Sequence, residues 1–535
     1  VTAELIAEGR AALRGGDALA ARAVLERAEP SPEVLEVLAS ASFVLLEYDR
    51  SLHEMESAYA GYRGAGDSAG AARVARMLGG MHGSTSGDWA VASGWIARAK
   101  TLLGDGSDTN EAGWVALTEG MFEADRTRKN TDFQRAVEIG RRTDDPDLAF
   151  AAVAYLGASL VHDDRTEEGM LLLDEACAAV AGSEVDSFMV VEEIFCQLFS
   201  ACEHAHDVRR ADQWIRLGER VAEQRRLPAV SAYCHTHYGG ILTAAGRWPE
   251  ADAALTAAVR LWALGRRTLQ AGALARLADL RMKQGRYDEA AALLDGLTDN
   301  DSVQPRAALH LARGEYAVAV DLLEHAVRRA DPRTSACLPL LALLVDAQLA
   351  TGKDPQPMIE AMATCADEHP SPYANALVAL ARGRAGDGDP KRWLREALDG
   401  FNQSQLPLEA SLCRLDLARA CSQDNPEVAV AEARNALRSF EMLQAAQYVD
   451  AATAVLRQLG QKVRPPAPSG NPLSRREEDV LRLLGEGLSN PEISERLFIS
   501  RKTVEHHVGN ILVKLGLRNR AEAAAYAVRR EPAPK

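Results

Sequence analysis

Gly285-Arg286-Tyr287-Asp288-Glu289-Ala290-Ala291-Ala292-Leu293-Leu294-Asp295-Gly296-Leu297 decides how this 535-residue chain folds. A glycine opens the run, a small residue follows five positions later, and apolar residues stand four and seven beyond that. Positions i, i+4 and i+7 share one face of a helix, so Ala290, Leu294 and Leu297 form a smooth stripe against which a second helix can lie closely. Gly285 breaks the chain just ahead of the stripe, as glycine does at the left-handed end of a helix. The run therefore reads as the turn and second helix of a helical hairpin.

The phrase recurs through the first 460 residues. Gly16 leads Ala21, Leu25 and Ala28; Gly87 leads Ala92, Ile96 and Ala99; Asp164 leads Gly169, Leu173 and Ala176; Gly246 leads Ala251, Leu255 and Ala258. Gly314 with Ala319, Leu323 and Ala326, and Asp424 with Ala429, Ala433 and Ala436, continue it. Turn residues are expected at 16, 49, 87, 129, 164, 207, 246, 285, 314, 352, 387 and 424, about every 37 residues, the sort of period that marks a stacked array. Gly285 to Ala290, and Gly246-Arg247-Trp248-Pro249-Glu250-Ala251, resemble the tetratricopeptide repeat, and that resemblance implies a solenoid whose neighbouring hairpins bury one continuous core. Thr127 to Asn130 and His206-Asp207 stand where a clean glycine would, which predicts irregular units. Nothing alternates with a period of two. The fold class expected is all α, with a tetratricopeptide-like helical-hairpin solenoid over 1–460.

Gln461 to Pro472 holds Pro465, Pro466, Pro468, Gly470 and Pro472, a composition that stops a helix and favours an extended linker over 461–472. Residues 473–530 then read as four short helices, with a tail at 531–535. Ser474-Arg475-Arg476-Glu477 and Ser489-Asn490-Pro491-Glu492 fit the capping box. Ser500 and Asn519 precede the third and fourth helices, Glu522 stands at the capping-box position of the fourth, and Gly487 and Gly516 sit where helices stop. In the third helix Val504, Val508, Ile511, Leu512 and Leu515 form an inward stripe, which leaves Lys502, His506, Gly509, Asn510 and Val513 facing away, flanked by Glu505, with Arg501 and Lys502 at the amino end. Only Leu497-Phe498-Ile499-Ser500 joins the second helix to the third, a connection short enough for a helix-turn-helix.

Leu473-Ser474-Arg475-Arg476-Glu477, Gly487 to Ile493 and Ile499 to Val508 resemble the LuxR-type DNA-binding domain of bacterial transcription regulators over essentially the whole module. The resemblance implies that 501–515 is a recognition helix reading the major groove of double-stranded DNA. It places Lys502 and Thr503 near phosphates, and Glu505, His506 and Gly509 near base edges; Arg501, from its position at the helix start, and Asn510, from its place on the outward face, are the further candidates for contact with DNA. Glu505 departs from the lysine that many relatives carry, and a carboxylate there can accept from cytosine N4. Ala523, Tyr526 and Ala527 resemble the family's dimerisation surface, which would match a homodimer to a palindromic operator. RNA polymerase is a further partner that the resemblance suggests. A repeat region joined to this module resembles the MalT-like regulators, whose nucleotide-binding domain is not read in this sequence.

From Ser474 to Arg530 eleven Lys and Arg face eight Asp and Glu, so a whole-chain charge of −15 leaves −18 elsewhere and confines phosphate contacts to one module. A composition 47% hydrophobic and 26% charged is that of a globular protein, and the longest uncharged, mostly apolar run, Ala149 to Val161, is far short of the roughly 20 residues of a membrane span. Eight cysteines without a Cys-x-x-Cys pair suggest thiols in a reducing compartment, so a cytoplasmic protein without membrane partners is expected.

Gly352-Lys353-Asp354 lacks the earlier glycine and the hydroxyl of a phosphate-binding loop, and no acid–base pair or nucleophile elbow stands out, so neither an enzyme nor a cofactor is expected. Cys196, Cys202, His204 and His206, and Cys234, His235 and His237, match no zinc-finger spacing and read as core thiols and polar helix faces. Trp214, Trp248 and Trp262 either line an effector pocket or pack within their units. The leading expectation is a DNA-binding transcription regulator whose solenoid senses a small-molecule, peptide or protein effector. The alternative is a tetratricopeptide scaffold that acts through protein–protein interaction.

Overall fold

The helices of this protein begin and end on local chemistry. Asp17, Asp67, Asp145 and Ser371 each accept a hydrogen bond from the backbone N–H three residues on, at 2.9, 2.9, 3.0 and 3.0 Å, which satisfies an amide that the first turn leaves open. Gly66, Gly352 and Gly386 end helices with φ near +75°, a conformation in which a Cβ would clash. The computed structural model describes all residues except 105–107, 226–231, 264–269, 298, 331–333, 462–474, 498–500, 516, 518 and 531–535.

Every regular element among the described residues is helical, and the helices come in pairs. The first pairs are α1 (Thr2–Arg14) with α2 (Ala18–Leu25), α3 (Pro32–Val44) with α4 (Tyr48–Ala65), α5 (Ser68–Met81) with α6 (Trp89–Leu103), and α7 (Asn110–Phe122) with α8 (Arg126–Arg142). Next come α9 (Pro146–His162) with α10 (Thr166–Ala181), α11 (Phe188–Ala205) with α12 (Val208–Arg225), α13 (Ala232–Ala244) with α14 (Trp248–Ala263), and α15 (Ala271–Lys283) with α16 (Tyr287–Leu294). The last are α17 (Val303–Ala312) with α18 (Tyr316–Arg329), α19 (Leu338–Thr351) with α20 (Gln356–Glu368), α21 (Pro372–Ala385) with α22 (Pro390–Gln403), and α23 (Pro407–Cys421) with α24 (Pro426–Met442). Then follow α25 (Ala446–Gln458), α26 (Arg475–Gly485), α27 (Asn490–Leu497), α28 (Arg501–Leu515) and α29 (Arg520–Arg530). Contacts divide the chain into Val1–Ser439 and Phe440–Lys535, a division that falls inside α24.

In the first unit the stripes face inward, but two are shorter than their spacing predicts: α2 stops at Leu25 and α16 at Leu294, so Ala28 and Leu297 lie beyond their helices. Ala21, Leu25, Ala92, Ile96, Ala99, Leu173, Ala176, Ala251, Leu255, Ala258, Ala290, Leu294, Ala319, Leu323, Ala429, Ala433 and Ala436 are all buried. Backbones come close there. A Cβ added at Gly140 would lie 2.7 Å from the Ala149 nitrogen, and one at Gly157 would lie 2.8 Å from the Gly169 carbonyl oxygen, so α8, α9 and α10 meet at a distance that admits no side chain.

Gly16, Gly87, Gly246, Gly285, Gly314 and Gly352 hold the hairpin turns with φ between 69° and 78°. Asp164 and His206 take the same conformation at 64° and 54° without being glycine. Two turns differ from the sequence reading. The turn expected at 49 lies at Leu46-Glu47, with Leu46 at φ 63° and Asp49 inside α4. The turn expected at 129 lies ahead of Asp125, because the Asp125 carboxylate accepts from the Arg128 N–H at 2.9 Å and α8 starts at Arg126, three residues before Lys129.

The array coils on itself. The Ser335 N–H donates to Asp164 Oδ2 at 3.3 Å across 171 residues of sequence, and Lys283 Nζ reaches Glu409 at 3.2 Å across 126. Within this coil Glu203 of α11 accepts from Arg276 of α15 at 2.7 and 2.8 Å and from His237 Nδ1 of α13 at 2.6 Å. Burial works to raise the Glu203 carboxyl, but the Arg276 guanidinium and His237 outweigh it and hold the group at about 2. Burial pushes His206 down to about 4.

The unfolded chain binds more protons on His206 from about pH 6.5 down to 4, and on Glu203 from about 4.5 down to 2, so each group costs stability as pH drops through its window. Burial raises Glu193 to about 7 and Asp132 to about 6, and these carboxyls act in the opposite sense over the same range. The His206 contribution is therefore read as a difference: between pH 7 and pH 4 the thermal midpoint of His206→Asn should lose less, or gain more, than that of the unaltered chain. Identical pH dependence in the two would contradict the burial of this ring.

Candidate DNA interface

Val480, Leu481, Leu483 and Leu484 of α26, Ile493 of α27, Val504 and Ile511 of α28, and Ala523 and Ala527 of α29 are buried together in one small core, with Val508, Leu512, Leu515 and Tyr526 packed against it. The inward stripe of α28 is thus the one its spacing predicts. Ser489 starts α27 with the carboxylate half of a capping box: its backbone N–H donates to Glu492 Oε2 at 2.6 Å, and its hydroxyl donates to the same oxygen at 2.6 Å. Those two hydrogen bonds, the hydroxyl's first, hold the Glu492 carboxyl below its ordinary range. Asn519 starts α29 by accepting from the Glu522 N–H at 3.0 Å. Gly487 closes α26 at φ 84°. Ser474, Phe498 to Ser500 and Gly516 lie outside the described residues.

One positioning residue is not found by reading the caps. Arg520 donates to Asn490 Oδ1 at 2.5 Å and to the Leu488 carbonyl, tying the start of α29 to the start of α27. A cation in the first turn of a helix opposes the helix dipole. That misplacement in the sequence is the signal that the guanidinium is used elsewhere.

With one stripe of α28 buried, the opposite side is open. Arg501, Glu505 and Gly509, successive at i, i+4 and i+8, are all exposed. Arg501 Nε lies 3.3 Å from Glu505 Oε1. Both side chains are more than half exposed, so the pair contributes at most about 1 kcal/mol and is easily exchanged for another partner. The backbone places Lys502, Thr503, His506 and Asn510 on this helix, and their side chains lie outside the described residues.

Gly509 is the informative position. Glycine in a helix interior costs about 1 kcal/mol against alanine. A Cβ added to Gly509 would meet nothing within 4 Å, so no contact inside the described chain requires its absence. The gap opens outward.

Ala523 and Ala527, expected on a dimerisation surface, point into the module's own core at 0% and 8% exposure, and Tyr526 packs against the same core. The reason is that α29 lays this face on α26. Any partner of α29 must use its other side.

In the repeat unit the tryptophans do not converge. Trp248 is buried and donates to the Thr243 carbonyl at 3.2 Å, and Trp262 donates to Thr236 Oγ1 at 3.4 Å. Trp214 donates to Asp174 at 2.8 Å and lines an open groove of about 770 Å³ together with Arg209, Arg210, Gln213 and Arg220. Cys196, Cys202 and Cys234 are buried in the core, and His237 is engaged with Glu203. No described helix is long and apolar enough to cross a membrane.

Residues 471–527 match the family described as bacterial regulatory proteins, luxR family, and form a LuxR-type helix-turn-helix domain. The segment is 53% identical over 57 residues to the transcriptional regulatory protein LnrK of Bacillus subtilis (strain 168), covering 11% of this chain and 26% of that protein. It is 46% identical over 59 residues to the oxygen regulatory protein NreC of Staphylococcus aureus (strain JH9), covering 11% and 27%. The chain thus spans about a quarter of the length of the curated relatives it matches. A chain from the crystal structure of the APC/C hetero-tetramer Cut9-Hcn1 aligns over 94% of this chain and 97% of its own length, at 13% identity and a TM-score of 0.41.

Replacing Gly509 by alanine should stabilise the isolated module by about 1 kcal/mol, because only backbone freedom is at stake. Denaturant melts of Gly470 to Lys535 check it. A destabilised variant would mean that the fold itself needs the glycine.

Proposed function

We propose, from the premise that residues 471–527 are a LuxR-type helix-turn-helix domain behind a helical-repeat body, that this chain is a DNA-binding transcription regulator. The observation that carries the reading is the exposed gap at Gly509, on the stripe with Arg501 and Glu505, which nothing inside the described chain requires. In this reading α28 enters the major groove. Arg501, Lys502 and Thr503 meet phosphates at its amino end, Glu505, His506 and Asn510 meet base edges, and Gly509 lets the helix backbone approach. Arg501 exchanges Glu505 for a phosphate on binding, which releases the Glu505 carboxylate to accept from an amino group such as cytosine N4. Two modules on one twofold axis match a palindromic site. The relatives named above are regulators by their names, and the acidic remainder of this chain keeps nonspecific attraction to DNA weak.

The body serves as the sensing part. Its coil presents charged and aromatic groups from many repeats to one interior, and grooves such as that beside Trp214 are large enough for a small molecule or a peptide segment. An effector acts on DNA binding only through its differential affinity for two arrangements of the body.

Affinity of the full chain for operator DNA should fall steeply with salt, and Lys502→Ala should reduce the slope of log affinity against log salt by about one for every sequence alike. Filter binding at several salt concentrations reads both. If the chain retains no DNA at low salt, the scaffold reading replaces this one.

Glu505→Ala and His506→Ala should instead flatten sequence preference, by about 1–3 kcal/mol for each base pair read. Selection from randomised sites measures this, and unchanged selectivity removes those two residues from the base contacts.

A further inference from the structure

Cys196 of α11 and Cys234 of α13 bring their sulfurs to 2.9 Å of one another. Both residues are buried, at 6% and 2% exposure, in the same core that holds Cys177 and Cys202. α11 and α13 are the first helices of successive hairpins and pack directly on each other. A disulfide holds its sulfurs at about 2.05 Å, so closing this pair asks for less than about 1 Å of further approach. We infer that Cys196 and Cys234 form an oxidisable dithiol that a hydroperoxide converts to a disulfide between neighbouring repeats.

The chemistry balances without any further reactant. The Cys196 sulfur, slightly the more accessible, attacks one oxygen of the hydroperoxide; the O–O bond breaks, an alcohol or water leaves, and Cys196 becomes a sulfenic acid. The Cys234 sulfur attacks that of Cys196, the S–S bond forms, and the sulfenic hydroxyl leaves as water with the Cys234 proton. The dithiol loses two electrons and two protons, and the peroxide is reduced. What singles out this pair is the distance, because Cys234 stands 2.9 Å away to resolve the Cys196 sulfenic acid. Cys413 donates to the Leu394 carbonyl at 2.9 Å in another part of the array.

The position gives the bond a consequence. Glu203 stands two turns after Cys196 on α11, and His237 one turn after Cys234 on α13, and the two side chains meet at 2.6 Å. The sulfur pair and the Glu203–His237 contact are therefore two rungs across one helix–helix interface. While the thiols are reduced, the angle between these repeats depends on noncovalent contacts. The disulfide fixes it, and with it the coil that gathers Glu203, His237 and Arg276.

Mapping the full chain before and after mild treatment with hydrogen peroxide tests the inference. Native protein is exposed, the remaining thiols are alkylated, and peptides are mapped without reduction. The expected result is a single intramolecular link between the Cys196 and Cys234 peptides, loss of two of the eight titratable thiols, full reversal by dithiothreitol, and a melting midpoint raised by a few degrees because the unfolded chain is constrained. Cys234→Ala should leave Cys196 as a trappable sulfenic acid with no link and no rise in midpoint. The inference is overturned if both cysteines remain reduced at a dose that oxidises surface methionines, if a different pair forms, or if Cys196 proceeds to sulfinic acid in the wild-type chain. The wild-type mapping decides the matter even if the variant fails to fold.

Discussion

Close approach of paired helices across stripes of alanine and glycine is the constraint on which the repeat body depends. A single hairpin has too little apolar surface to fold alone, and its stability comes from the next hairpin lying against it. Where Gly140 meets Ala149 and Gly157 meets Gly169, a single methyl group would strike backbone, so the spacing of the helices, and through it the curvature of the array, is set by the absence of side chains. Larger residues such as Leu173, Leu255 and Leu323 fill the space between crossings and supply the burial.

Curvature places polar groups from distant repeats together. Glu203, His237 and Arg276 come from three successive first helices, and Asp164 and Ser335 from hairpins that are far apart in sequence. An ion pair so enclosed adds little net stability, since desolvation offsets much of the attraction, but losing one partner leaves a charge stranded. Such a network therefore fixes one arrangement of the coil more than it strengthens it. The same enclosure keeps His206 neutral at physiological pH.

The carboxy-terminal module is built on a different principle, a small core closed by caps. Ser489 with Glu492 and Asn519 with the Glu522 amide fix where α27 and α29 begin, and Arg520 ties those two starts together. With these ends held, α28 has one face committed to the core and the rest left to an external surface.

Caps, turn glycines and most stripes were legible in the sequence because each is settled within three to seven residues: a cap is made by a side chain and an amide three residues apart wherever the fold puts them, and Ala251, Leu255 and Ala258 share a face in any helix that spans them. Leu297 was placed on the stripe of α16 by the same spacing, but that helix stops at Leu294. Gly509 was legible on the outward face of α28 from its spacing, with Glu505 at its flank and Arg501 at its amino end. The turn at Leu46 was not, since no local preference places leucine in the left-handed region; the two helices on either side force it there. Nor was the inward burial of Ala523 and Ala527, which depends on the side that α29 turns to α26. The bond from Ser335 to Asp164 and the approach of Cys196 to Cys234 belong to tertiary structure alone, because they follow from the pitch accumulated over several hairpins, and no window of sequence contains that pitch.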